Sequence, residues 1–307
     1  MTRTGYGESN GKIILVGEHA VTFGEPAIAI PFSSGKVKVE IEEMPELAVS
    51  TMISDVYEGE VAYAPEHLHA LISRFEAESH IESPIMIRIE AKLPPSRGLG
   101  SSAAVAVAFT RAAFDFLDKP LSDEELIEHV NWAEMIAHGK PSGIDAQTIV
   151  SNQPTWFQKG VFTSLESLRI PGYMVVLDTG IKGNTKEAVR DVHELVENNQ
   201  ENKQFIERIG QLVYSANQAI NTRNFDALAE IFNECQSYLA TLTVSHPKID
   251  KLLNAAKQAG AVAGKLTGSG RGGSVITLVK DYATAEKVVN AVTKAGAHHT
   301  WIESLGG

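Results

Sequence analysis

The sequence predicts an α/β (α+β) protein of two domains, and three features of its 307 residues carry that prediction. Ile85, Ile87, Ile89, Ala91 and Leu93 alternate as in a half-buried strand, which runs through a glycine turn into Ser102–Leu117, an Ala-rich stretch without Gly or Pro. Four helical stretches then follow in series, over about 185–197, 202–222, 225–241 and 246–259. The chain closes on an α–β–β–α–β order compatible with a ferredoxin-like half. Composition changes over 152–172, so 1–160 and 161–307 are read as the two domains.

Taken in order, Lys12–Gly17 is a short apolar run that reads as a buried strand. Pro26–Phe32 and Lys36–Glu43 read as two more, with Val37, Val39 and Ile41 on one face. Between them lies a loop, Glu18–Glu25, carrying two carboxylates and His19. Residues 44–64 have little pattern. His67–Ala77 places Leu68, Leu71, Ile72 and Phe75 on one helical face. Ser122–Glu125 is a capping box, and Leu126, Val130, Ala133 and Ala137 form the stripe of the helix it opens, ended by Gly139. Tyr173–Asp178 is a strand and Thr179–Thr185 a loop. Ala261–Leu266 and Ser274–Val279 flank the glycine-rich turn Thr267–Gly273. A helix over 283–295 and a strand near 298–303 complete the chain.

Hydrophobic residues make up 43% and charged residues 21%, the balance of a folded protein with a real core. A net charge of −11 argues against nucleic acid and against an anionic membrane surface, and no apolar run reaches the length of a membrane span. The start of the chain lacks the apolar core of a signal peptide. Cys235, the one cysteine, allows no internal disulfide and fits a reducing, cytoplasmic setting.

The stretch Leu93–Ala104 organises the chemistry. Pro94 and Pro95 stop the strand, Gly98 and Gly100 permit unusual dihedrals, and Ser101 and Ser102 are placed to cap the helix that follows. Free N–H groups at a helix start beside bare glycine backbone form a cradle for phosphate, and the same residues are equally readable as a tight strand-to-helix turn that binds nothing. Arg97 adds a cation. The spacing is neither a Walker A loop nor a dinucleotide fingerprint. Phosphoryl transfer also needs a metal, a positioned base and facing cations. Ser102 and Glu134 offer hard oxygens for Mg2+, and Glu134 lies about 80° round its helix from Leu126, on the border of the apolar face. Asp145 ends a Pro-Ser-Gly-Ile-Asp turn, where it is equally readable as an Asx cap. Lys12 opens a buried strand and needs an anionic partner; Asp145 would be held ionised by it. Thr267–Gly273, with Arg271, is a second anion-adapted loop or a plain turn. The ten histidines lack zinc spacing, and His298 and His299, read as strand neighbours, point to opposite faces.

Together Lys12–Gly24, Pro94–Ala104, Glu134–Asp145 and Lys265–Ser274 resemble, in order and separation, the blocks of the GHMP kinase superfamily, most closely its mevalonate-phosphorylating branch. The resemblance implies a ribosomal-S5-like N-terminal domain, a ferredoxin-like C-terminal domain, and ATP-dependent phosphorylation of the primary hydroxyl of mevalonate. It implies Asp145 as base with Lys12 beside it, and Ser102 and Glu134 on Mg2+. The triphosphate would lie along Pro94, Pro95, Ser96, Arg97, Gly98, Leu99, Gly100, Ser101, Ser102, Ala103 and Ala104, with Gly268, Ser269 and Gly270 closing over it. Glu18 and His19 would face mevalonate. A homodimer rests on the resemblance alone. Ser96-Arg97 departs from the Gly-Ala of many eukaryotic members. Kinases of phosphomevalonate, galactose or homoserine, and a silent nucleotide-binding regulator, are the alternatives; Glu18-His19-Ala20-Val21 favours mevalonate.

Overall fold

In the computed structural model, which describes residues 2–79, 81–139 and 142–306 with the side chain of His138 excepted, the chain enters on a strand whose inward positions are not apolar. Along β1 (Thr4–Val16) the buried positions of the first half are Gly5, Gly7, Ser9 and Gly11. A β-carbon at Gly5 or Gly7 would collide with the carbonyl oxygens of Ala112 and Ala108 in α2 (Ser101–Phe116). The close approach of that helix selects glycine and hides the strand from a hydrophobicity pattern.

By internal packing the chain forms two units, and they interleave in sequence. One comprises residues 1–12, 31–95 and 100–152; the other comprises 13–30, 96–99 and 153–307. A single division after residue 160 follows chain order and omits the two short excursions. The reasons are local to the second unit. Glu18 pairs with Lys265, the Thr267 hydroxyl donates to the Ile14 carbonyl at 2.9 Å, and the Ser274 hydroxyl donates to the Arg97 carbonyl at 2.9 Å.

In the first unit, β2 (Ala27–Glu43) is one continuous strand where two were expected. Its second half pairs antiparallel with β5 (Ile85–Ala91). β3 (Thr51–Ser54) runs parallel to β5, and β4 (Glu58–Glu60) pairs with β3, so the unpatterned excursion adds an edge to the sheet. Helices α1 (Glu66–Ser79), α2, α3 (Asp123–His138) and α4 (Ile144–Ser151) pack together. Phe75 meets Phe109 and Phe116 edge-on, with ring centres 5.8 and 6.1 Å apart. The expected capping box is present: the Ser122 hydroxyl accepts from the Glu125 N–H at 3.2 Å. The expected serine caps of α2 are not. Gly100, at φ 71°, occupies the N-cap, and Ser101 and Ser102 stand inside the helix.

In the second unit, β6 (Thr155–Gln158) joins the first half of β2 and β7 (Val161–Ser164) joins β6; neither was read from the sequence. An antiparallel sheet in the order β11-β8-β10-β9 carries the C-terminal half, from β8 (Tyr173–Asp178), β9 (Ala263–Thr267), β10 (Ser274–Val279) and β11 (His299–Ser304). The helices are α5 (Thr185–Glu197), α6 (Gln200–Asn221), α7 (Phe225–Thr241), α8 (Pro247–Gln258) and α9 (Tyr282–Lys294). Their starts follow from side-chain caps: Asn184, Asn199, Asn224, His246 and Asp281 each accept a backbone N–H of the first turn. The order α8–β9–β10–α9–β11 is the ferredoxin-like arrangement expected. Among the described residues no helix is long and apolar enough to cross a membrane.

Candidate active site

In the first unit the site is built on the end of one strand and the starts of two helices. Lys12 is only 6% exposed on β1, where a lone ammonium would be costly. Its Nζ lies 3.0 Å from Asp145 Oδ1, the pair anticipated from the sequence. Asp145 is not the cap of its segment. It stands in the first turn of α4, behind the N-cap Gly143, which is left-handed at φ 79°. The helix start favours a negative charge there, as does the lysine. The pair is asymmetric: the lysine side chain is 7% exposed and the aspartate 32%, so the carboxylate is the reachable half. Lys140 and Pro141, in the turn before it, lie outside the described residues.

Gly100 completes this arrangement. A β-carbon there would come within 2.8 Å of Lys12 Cγ, so the bare backbone makes room for the lysine stem. Ser102 follows in the first turn of α2. Its Oγ is buried and has no hydrogen-bond partner among the described residues. Glu134 is buried on α3, 6% exposed, and α3 packs on α2.

Pro94, Pro95, Ser101, Ala103 and Ala104 also belong to the first unit, and the second holds Glu18, His19, Ser96–Leu99 and Gly268, Ser269 and Gly270. His19, at φ 60°, is 4% exposed, and its Nε2 lies 3.0 Å from the Ser269 carbonyl oxygen. A carbonyl only accepts, so Nε2 carries the hydrogen and Nδ1 is left with a lone pair. Burial, with Arg271 and His193 nearby, lowers its pKa to about 4, against the partial support of the Ser269 bond; the ring is neutral at pH 7. Nδ1 is buried with no hydrogen-bond partner among the described residues.

Three of the predicted residues have charged partners within the protein. Glu18, expected beside the acceptor, is 2% exposed and enclosed with Lys265, whose ammonium also donates to the Leu266 carbonyl at 2.8 Å. Arg97, expected as a cation offered to nucleotide, is spent within the protein. Its Nε lies 2.8 Å from Asp178 Oδ1, and its Nη2 donates to the Gly180 carbonyl at 3.1 Å. Arg271 likewise pairs with Asp191 at 2.5 Å, which holds that carboxyl below the usual range. The loop Ser96–Leu99 is thus a latched backbone. Gly98 approaches the second glycine loop closely enough that a β-carbon would stand 3.4 Å from the Thr267 oxygen and 3.5 Å from Gly268 Cα.

Lys265 and Asp178 were missed as pivotal residues, and the signal was available. Each is a charged residue in an apolar strand, the pattern that singled out Lys12, and each is 0% exposed. Cys235, expected as core, is buried, and burial pushes its thiol up to about 12, beyond use as a nucleophile.

Known proteins share the family and fold of this chain. The model of the GHMP kinase N-terminal domain matches residues 66–152, and that of the GHMP kinase C-terminal domain matches 216–298. A mevalonate kinase of Pyrococcus abyssi is 33% identical, over 94% of this chain and 93% of the relative. A crystal structure of mevalonate kinase from methicillin-resistant Staphylococcus aureus MRSA252 is 55% identical, with a TM-score of 0.84 over 99% of this chain and 100% of that one. The crystal structure of L. major mevalonate kinase in complex with R-mevalonate shares the fold, at a TM-score of 0.86 and 24% identity, over 98% of this chain and 95% of that one.

Proposed function

We propose that this chain, which belongs to the GHMP kinase family, is a mevalonate kinase, transferring the γ-phosphoryl group of ATP to the primary hydroxyl of (R)-mevalonate. The observation that carries the reading is the Lys12–Asp145 pair at 3.0 Å, with a buried cation and a reachable carboxylate. Asp145 accepts the hydroxyl proton as the alcohol oxygen bonds to phosphorus and ADP departs. Lys12 orients Asp145 through their ion pair, and its charge favours the oxygens on which negative charge gathers. The neutral His19 Nδ1 accepts a hydrogen bond from a hydroxyl of the acceptor.

Backbone N–H groups of Ser96–Gly100 and the start of α2 hold the triphosphate, with Gly268, Ser269 and Gly270 as a second glycine backbone for it. Mg2+ suits the oxygen set of Ser102 and Glu134, and the buried Ser102 Oγ, with no hydrogen-bond partner among the described residues, supports this. When bound, the ion neutralises charge on the phosphate oxygens. A cytoplasmic location fits the single buried cysteine, and a homodimer is proposed on family resemblance.

A coupled ATP-consumption assay over mevalonate, phosphomevalonate, galactose and homoserine tests the reading. Turnover with mevalonate is expected. Turnover with phosphomevalonate but not mevalonate would replace it, and ATP binding without turnover of any of the four would make the chain a silent regulator.

A further inference from the structure

One cluster of metal-ligating side chains takes no part in that chemistry. Asp178 ends β8 with a carboxylate that is 0% exposed. Its Oδ1 accepts from the Gly180 N–H at 2.8 Å and faces Arg97 Nε. Its Oδ2 is buried and has no hydrogen-bond partner among the described residues. That oxygen lies 3.6 Å from His298 Nδ1 and 3.5 Å from His299 Nδ1, and the two ring nitrogens are 2.8 Å apart.

Strand alternation was expected to send these two histidines to opposite faces. The strand, however, starts at His299, so His298 precedes the pleat. The His298 N–H donates to the Asp178 carbonyl at 2.8 Å, which draws that residue back toward the carboxylate.

We propose that Asp178, His298 and His299 form a binding site for a divalent transition-metal ion of zinc-like preference, tying the end of β8 to the start of β11. Ligands about 2.0–2.1 Å from a tetrahedral centre stand roughly 3.3 Å from one another, and the three edges here bracket that spacing. Two imidazoles and one carboxylate suit Zn2+ or Co2+, whereas Mg2+ and Ca2+ call for an all-oxygen shell. The Gly180 N–H and Arg97 hold the oxygen that is not offered, as outer-shell partners of a metal ligand do. The imidazoles are 61% and 51% exposed, so an ion enters from solvent and completes its shell with water.

Calorimetric titration of the full chain with Zn2+ tests this, alongside Co2+ absorption spectra and melting curves. One Zn2+ per chain is expected, with a raised melting temperature and tetrahedral-type Co2+ bands. In His298→Gln/His299→Gln the affinity should fall at least about tenfold and the Co2+ bands vanish. An excess of Mg2+ should not compete. Saturable binding that the double variant leaves unchanged, or no saturable binding to the wild type, overturns the proposal. Should the double variant fold poorly, His299→Gln alone, with the same Co2+ spectrum as readout, decides it by the same criteria.

Discussion

Among the described residues, two lysine–carboxylate pairs are built from buried strand lysines, and they differ in one respect. Lys265 and Glu18 are both wholly enclosed, with side chains 0% exposed, while Lys12 is enclosed and Asp145 is 32% exposed. The first pair satisfies itself and holds Ile13–Ile30 in the second unit. The second keeps its positive end fixed and leaves its negative end within reach of a substrate. Chemistry of the same kind serves structure in one place and reaction in the other, and access is what separates them. A buried pair in itself is weak evidence of either role, because desolvation offsets much of the attraction.

The comparison breaks first at Asp145. Asp145→Asn should lower kcat by about 10^2- to 10^4-fold while ATP still binds, since the base and the phosphate backbone belong to different segments. Steady-state kinetics and nucleotide titration check this, and near-normal turnover would move Asp145 to the structural class. Lys265→Met should act on the other side of the comparison, costing about 3–5 kcal/mol of stability by stranding a buried Glu18 carboxylate. Urea unfolding measures it. Glu18→Gln/Lys265→Met should recover much of that loss.

A third effect concerns His19. Its folded pKa of about 4 lies below the ordinary histidine value of 6.5, so between those values the unfolded chain binds more protons than the fold. Stability therefore falls as pH drops from 6.5 toward 4, by up to about 3 kcal/mol from this group. Urea curves across that range should show a smaller decline in His19→Gln than in the wild type. The smallest effect is expected for Ser102→Ala. With no hydrogen-bond partner for its Oγ among the described residues, stability should stay within about 0.5 kcal/mol, while the Mg2+ needed for half-maximal turnover rises several-fold.

Much of the C-terminal half was legible because its helices are amphipathic and begin at Asn, His or Asp caps, both of them local signals. The Lys12–Asp145 pair was legible by a different logic, since a charged residue in an apolar strand demands a partner. What escaped depended on contacts distant in sequence. Gly5 and Gly7 mark a buried strand only once the Ala108 and Ala112 carbonyls are known to press on it. Arg97 reads as a ligand cation until Asp178 is found beside it. Glu18 reads as a substrate contact until Lys265 encloses it. His298 and His299 alternate on paper, and only the observed start of β11 brings both rings to one oxygen.

The threading of Ile13–Ile30 and Ser96–Leu99 into the second unit bears on how such a protein is inherited and engineered. A gene fragment beginning at codon 161 would encode the C-terminal sheet without Glu18, leaving Lys265 with no counter-ion in its interior. Chimaeras joined at one crossover would mix the two ends of that pair, and those of Arg97 and Asp178, from different parents. The halves are therefore heritable together, and grafting one onto a relative requires carrying over the two short upstream segments as well.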